Sequence, residues 1–365
     1  MIPRLVLDSV GAPLRAGFDA IIDVRSPAEF AQDHLPGAVN LPVLDDAERA
    51  RVGTIYKQIA PFEARKLGAA LVAANAARHI AGPLAGHGGG WRPLVYCWRG
   101  GQRSGSFATI LAQIGWRVAL VEGGYKSWRR LVVDRMQAGP MPRLLVLDGN
   151  TGSGKTAILG ALARRGVQVL DLEALANHRG SLFGAMPGGQ PAQAMFEGRL
   201  ALAIEALDAS RPVVVEAESS RIGALNLPRA VWAALIAAPR IRIEVPLAER
   251  ARFTAATYDE ITADPAAAEA ALDRMARLHS REVLEGWRAM ARARDWAGLA
   301  EALMRAHYDP RYARHRSRHA AAERAVLAVP RLDTAGLAEA AARIEAVAAG
   351  LDLPAREPVA DRAGR

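Results

Sequence analysis

Two stretches of this 365-residue chain place reactive residue types at spacings that do chemistry. The first is Tyr96-Cys97-Trp98-Arg99-Gly100-Gly101-Gln102-Arg103-Ser104, which contains the only cysteine in the sequence. Cys97 closes a short apolar run, Pro93 to Tyr96, and stands before a segment with helical apolar spacing (Phe107, Ile110, Leu111, Ile114). A thiol at the end of a strand, facing loop amides and a helix N-terminus, is favoured as thiolate, the nucleophilic form. Arg99 and Arg103 add positive charge, so Cys97, Arg99 and Arg103 are the candidate catalytic residues. The second stretch is Gly149-Asn150-Thr151-Gly152-Ser153-Gly154-Lys155-Thr156, a full match to G-x4-G-K-[ST]. Its glycines let backbone amides converge on phosphate oxygens, Lys155 neutralises them, and the Thr156 hydroxyl can reach a magnesium ion. The chain has 47 basic residues, and only Lys57, Lys66, Lys126 and Lys155 are lysines. At Lys155 a compact point charge on a flexible stem does what a planar guanidinium would not.

The elements around both stretches must present them. Residues 18 to 25 read as a buried strand ending at Asp23, followed by Ser26-Pro27-Ala28-Glu29, an N-cap, a first-position proline and a capping-box glutamate. His34 to Ala38 stops that helix, and Val39-Asn40-Leu41 is a short strand. A helical stretch is expected over about 59 to 80, and a glycine-rich loop over 82 to 90. The Cys97 strand, its helix and a strand over Arg117 to Val121 complete an alternating pattern. Such alternation predicts a parallel α/β sheet with its site at the strand C-termini. After a linker at 137–142, Arg143 to Asp148 is a strand, and a helix with Ile158, Leu159 and Leu162 follows the glycine loop. Further strands are expected at Val167 to Asp171, Val213 to Glu216 and Ile241 to Val245. A clear second carboxylate for a magnesium ion is missing: Asp171, Glu216 and Glu218 are candidates, and each also fits an ordinary strand end. From about 247 the chain reads as helical. The resulting division is 1–136, a linker 137–142, 143–246, a basic helical part 247–350, and a polar tail 351–365.

Composition narrows the class. Hydrophobic residues make up 51% of the chain, and no apolar run approaches the ~18 residues of a membrane helix. Nothing at the N-terminus resembles a signal peptide, and one cysteine forms no disulfide framework, so a cytoplasmic, non-membrane protein is expected. A net charge of +9 favours a polyanionic partner. Arg305, His307, Tyr308, Arg311, Tyr312, Arg314 and Arg316 interleave basic and aromatic side chains, a mixture suited to phosphate contacts and base stacking.

Taken in order, these pieces resemble the tRNA 2-selenouridine synthase family, in which a rhodanese-like domain precedes a P-loop domain. The resemblance rests on Asp23-Val-Arg-Ser-Pro-Ala-Glu29, His34-Leu-Pro-Gly-Ala38, the Cys97 loop and Glu122-Gly-Gly-Tyr-Lys126. It continues in the glycine loop, Asp171 to Ser181 with Ala-Asn-His-Arg-Gly at its centre, Val215-Glu-Ala-Glu-Ser219, and His307-Tyr-Asp-Pro-Arg-Tyr312. The fold it implies is a rhodanese-like parallel-sheet domain, then a P-loop NTPase-like α/β domain with a helical C-terminal region. Its implied chemistry converts 2-thiouridine at the wobble position of tRNA to 2-selenouridine. Selenophosphate and geranyl diphosphate are the implied substrates, the second giving an S-geranyl intermediate; magnesium is optional and no tightly bound organic cofactor is expected. Asp23, Arg25, Gly100, Gly101 and Ser104 would support the Cys97 site. Asp171, His178, Arg179, Glu216 and Glu218 would form a second site near the glycine loop. The basic C-terminal residues would contact tRNA, and a selenophosphate-producing enzyme is a further partner. Cys97 to Arg103 is also a C-x5-R spacing, so a cysteine-dependent phosphatase, or a sulfurtransferase with a fused kinase-like domain, is the rival reading. An RNA-binding module that uses the glycine loop as a switch is the non-enzymatic one.

Overall fold

The computed structural model describes residues 1–181, 183–257, 265–316 and 322–351. The chain forms two compact units, one of Met1–Gln137 with Pro191–Glu205, the other of Ala138–Gln190 with Ala206 onward.

In chain order the first unit holds β1 (Arg4–Leu5), α1 (Ala12–Arg15), β2 (Ala20–Asp23), α2 (Pro27–Gln32) and β3 (Ala38–Asn40). Then come α3 (Asp46–Gln58), α4 (Pro61–Ala81), β4 (Pro93–Tyr96), α5 (Gln102–Ile114), β5 (Ala119–Val121) and α6 (Gly124–Ala138). Its five strands are all parallel, in the order β1-β5-β4-β2-β3, which places Cys97 at the C-terminal end of the central strand. β4 is buried along its whole length, as a parallel strand covered on both faces must be. The Ser26–Glu29 capping box starts α2 as expected. The helix α3 was not anticipated. It is dominated by polar residues and buries none of them, so it leaves no apolar stripe to read.

The second unit continues with β6 (Leu144–Asp148), α7 (Lys155–Arg164), β7 (Gln168–Leu170) and α8 (Leu172–Ala176). The next helix, α9 (Gln193–Glu205), belongs to the first unit, although its place in the sequence puts it within 143–246. Its buried face (Phe196, Gly198, Leu200, Ala201, Ile204) explains why. A Cβ on Gly198 would lie 2.7 Å from Trp128 Cη2, so only glycine lets the indole so near. Glu205 accepts from the amides of Val10 (2.8 Å) and Gly11 (3.1 Å), and Arg129 pairs with Glu197.

The second unit resumes at β8 (Val213–Glu216), β9 (Arg221–Ile222), β10 (Leu225–Asn226), α10 (Arg229–Ala237), β11 (Arg240–Glu244) and α11 (Leu247–Thr257). After these come α12 (Pro265–Asp273), α13 (Arg281–Arg292), α14 (Trp296–Leu303), a π-helical turn at Met304–Tyr308, and α15 (Asp309–Arg316). The described chain closes with β12 (Glu323–Ala328) and α16 (Thr334–Gly350). Its main sheet is parallel, ordered β12-β11-β6-β8-β7, with the glycine loop at the end of the central β6. The strand β12 corrects the expectation of helix throughout 247–350. It is an edge strand on which only Leu327 is buried, so its sequence lacks the apolar run of an inner strand. Ser317 to His319 and the tail beyond Leu351 lie outside the described residues, and no helix among those described is long and apolar enough to cross a membrane.

Candidate active site

Cys97 is 3% exposed, and its sulfur accepts a hydrogen bond from Ser104 Oγ at 3.1 Å, from the first turn of α5. The Cys97 carbonyl is fixed in turn by the Tyr125 amide at 2.8 Å, and the Trp98 carbonyl by the Lys126 amide at 3.0 Å. Two helix N-termini, those of α5 and α6, therefore border the loop. Gly124 makes this approach possible: its φ is +63°, and a Cβ there would sit 2.4 Å from the Cys97 carbonyl oxygen. Gly100 has φ +66° and is buried, while Gly101 is exposed and caps α5.

The two loop arginines differ. Arg99 is exposed and pairs with no carboxylate among the described residues. Arg103 reaches both oxygens of Glu29, at 2.7 and 3.4 Å, and so anchors α5 to the capping box of α2. Burial pushes the Glu29 carboxyl up, but the Arg103 hydrogen bonds and charge, with Ser26 and Arg49, leave it below the usual range. Asp23 and Arg25 form a buried ion pair at 2.6 Å. The Arg25 guanidinium also lies over the Tyr125 ring at 4.1 Å and near Trp98 at 5.8 Å, bracing the start of the loop from below.

The glycine loop of the second unit borders a cavity of about 600 Å³. At Gly152, φ is +77°, and a Cβ would meet Met304 Cε and Thr254 Oγ1 at 2.5 Å, so the loop can run there only as glycine. Gly149 turns the chain out of β6, and Gly154, at φ +74°, caps α7. Thr151 is held through its carbonyl, which accepts from Arg250 at 3.1 Å; the same guanidinium grips Asp309 at 2.7 and 2.9 Å. Asn150 accepts, through its carbonyl, from the Ser153 amide. Ser153 Oγ is buried with no partner among the described residues, a donor in place for an anion. Lys155 Nζ donates to the Gly149 carbonyl at 3.1 Å and stands 5.6 Å from the Tyr312 ring. Burial pulls the Lys155 ammonium down, but Tyr312, Glu173, Glu218 and Glu216 more than offset this and raise it.

The carboxylates beside the loop resolve into distinct parts. Asp171 caps α8, accepting from the Ala174 amide at 2.8 Å. Glu216, fully buried, accepts from the Glu173 amide at 2.9 Å. Glu173, which carried no motif of its own beyond its place two residues after Asp171, accepts from Thr156 Oγ1 at 3.0 Å. Burial first, then the Glu173 charge, pushes Glu218 up to about 8, and burial with the neighbouring acids holds Glu216 well above the carboxylate range. Among the described residues no three His, Cys, Asp or Glu side chains form a metal cage. Thr156 and Glu173 nonetheless supply oxygen donors of the kind a magnesium ion shares with phosphate and water. His178 accepts from the Gly180 amide at 3.1 Å and shapes the turn, whereas Arg179 and Gly180 line the cavity.

The segment expected to face RNA is largely a wall of this cavity. His307 and Tyr308, from the π-helical turn, and Arg311 and Tyr312, from α15, line it. His307 is 3% exposed and bonded to His279 at 2.8 Å; burial, Arg311 and His279 push it down to about 4, so it is neutral. Arg305 is exposed and paired with Glu301 at 2.7 Å, Arg314 is exposed, and Arg316 ends α15 with its side chain outside the described set. A smaller apolar cavity of about 60 Å³ shares Thr151, Ser181, Thr254 and Tyr308 with the first and is closed by Phe183, Trp296, Leu299 and Leu303. A pocket with Lys155, Arg179 and Arg311 on its wall, next to an apolar annex, suits a phosphorylated molecule with a hydrocarbon part.

Residues 142–293 match the family model of the tRNA 2-selenouridine synthase AAA domain, and residues 7–131 match the Rhodanese-like domain. A tRNA 2-selenouridine synthase of Nitrosomonas europaea is 42% identical over 238 residues, which span 63% of this chain and 61% of that protein. Another, of Hydrogenovibrio crunogenus, is 37% identical over 256 residues, 66% of this chain and 68% of the relative. The match thus covers less than two thirds of the length of the Nitrosomonas protein. Among solved structures, a rhodanese-related protein from Thermoplasma volcanium aligns with 35% of this chain and 91% of its own, at 16% identity and a TM-score of 0.23.

Proposed function

This chain belongs to the tRNA 2-selenouridine synthase family, and from that premise we propose that it replaces the sulfur of wobble 2-thiouridine in tRNA with selenium, in two steps. In the first, the thiouridine sulfur attacks C1 of geranyl diphosphate; the C–O bond breaks, diphosphate leaves with the electron pair, and the N3 proton is lost to solvent. In the second, the selenium of selenophosphate adds at C2, geranylthiol departs with the C–S pair, and water releases phosphate from selenium. Alkylation turns a poor sulfur leaving group into a better one, which is why the steps come in this order. Tyr308 and the apolar residues beside the glycine loop carry the assignment of the first step to the second unit, because they set an apolar surface next to the cavity that holds Lys155 and the glycine loop. Lys155, Ser153 and the loop amides would hold the diphosphate, with Thr156 and Glu173 holding magnesium, which would neutralise the leaving group. Arg99 and the amides of the 98–104 loop would hold the selenophosphate beside Cys97. A cytoplasmic location goes with a tRNA substrate.

Titration with geranyl diphosphate tests the first assignment. The full chain should bind it, Lys155→Ala should weaken binding about tenfold or more, and ATP should compete poorly. Tighter binding of ATP, with geranyl diphosphate unable to displace it, would contradict the proposal and favour a nucleotide-dependent step.

A further inference from the structure

The hairpin of α3 and α4 packs on the core of the first unit through Val72, Ala76 and the partly buried Val52, but its tip takes no part in that packing. No residue of α3 is buried; the helix is held by the Asp45 capping box, by Asn75 donating to Glu48 at 2.8 Å, and by packing along α4. Where the two helices meet, three large apolar side chains face solvent in the full chain: Tyr56 is 57% exposed, Ile59 73% and Phe62 64%. Single exposed apolar residues are ordinary, but three around one turn are not. Arg51, Lys57 and Arg65, on the same two helices, are exposed and pair with no carboxylate among the described residues, whereas Lys66 pairs with Glu63 at 2.7 Å.

From this juxtaposition we infer that the α3–α4 tip is a contact surface for single-stranded RNA, with bases stacking on Tyr56 and Phe62 and phosphates meeting Arg51, Lys57 and Arg65. Base faces accept aromatic stacking without regard to sequence, and exposed cations on the same two helices would meet the phosphates. Charge complementarity selects this occupant: the surrounding exposed cations would repel a second copy of the same tip. The inference rests on the proposed action on tRNA. It adds a contact on the first unit to the one that the reacting nucleotide would make at the cavity lined by His307, Tyr308 and Tyr312.

The test uses the full chain and a fluorescent anticodon stem-loop RNA carrying 2-thiouridine, with binding read by anisotropy at several salt concentrations. Tyr56→Ala with Phe62→Ala should weaken binding about tenfold or more. Lys57→Ala with Arg65→Ala should lower the salt slope by about one for each phosphate that is no longer neutralised. Geranyl diphosphate binding and the melting temperature should stay unchanged in both, since these side chains are exposed. Equal RNA affinity in wild type and both variants would overturn the inference while leaving the proposed function intact. A wild-type chain that does not bind the RNA would overturn both. Loss of self-association in the aromatic variant, with RNA affinity unchanged, would assign the tip to a second copy and also overturn it.

Discussion

Thr156 Oγ1 donates to Glu173 Oε2 at 3.0 Å, which ties the last residue of the glycine loop to the helix that follows β7, the edge strand beyond β8. That bond keeps the hydroxyl oriented and supplies the carboxylate a cation would share. Glu173→Ala should therefore reduce the magnesium enhancement of diphosphate binding about tenfold and leave magnesium-free binding equal or stronger, because a negative charge is removed. Calorimetric titration with and without magnesium distinguishes the two effects.

Glu218 makes the stability of the protein depend on pH. Its carboxyl is raised to about 8 in the folded chain, by burial and then by Glu173, whereas the unfolded value is the ordinary one near 4.5. Between those values the folded state holds a proton that the unfolded state has released. This contribution is present at low pH and is lost as pH rises towards and through about 8. Glu218→Gln should flatten the decline in melting temperature between about pH 5 and pH 8. An unchanged slope in that variant would place the titration elsewhere in the Glu173–Glu216–Glu218 group.

Gly152→Ala combines an unfavourable φ with collisions against Met304, Thr254 and the Arg250 carbonyl. It should cost about 3 kcal/mol and abolish binding of diphosphate ligands. Denaturant unfolding gives the first, titration the second.

The inserted helix α9 gives a prediction that separates the two units. Gly198→Leu should collide with Trp128 and destabilise the first unit by about 3 kcal/mol, while geranyl diphosphate binding by the second stays unchanged. Weakened ligand binding with unaltered melting would contradict the placement of α9.

The legible parts of this chain were those encoded by adjacent residues. The Cys97 loop and the 149–156 loop each contain their own chemistry, and inner strands such as β6 and β8 are continuous apolar runs. Elements whose partners lie far along the chain were hidden. The apolar face of α9 reads the same whichever unit it covers, and β12 looks like polar helix because only Leu327 faces the core. Arg103 is beside Cys97 in sequence, but its partner is Glu29, and only the fold brings these together. Glu173 needed the return of α8 to Thr156 to become visible, and nothing in the basic run from Arg305 showed that the π-helical turn puts His307 and Tyr308 on the wall of the cavity.

The most direct test of the proposed function is mass spectrometry of nucleosides from 2-thiouridine tRNA, incubated with the full chain and geranyl diphosphate, then with selenophosphate. The account predicts S-geranyl-2-thiouridine after the first incubation and 2-selenouridine after the second, with Cys97→Ala retaining the first product and losing the second. Unchanged 2-thiouridine after both incubations would contradict it, and loss of both products in Cys97→Ala would contradict the division of the two steps between the two sites.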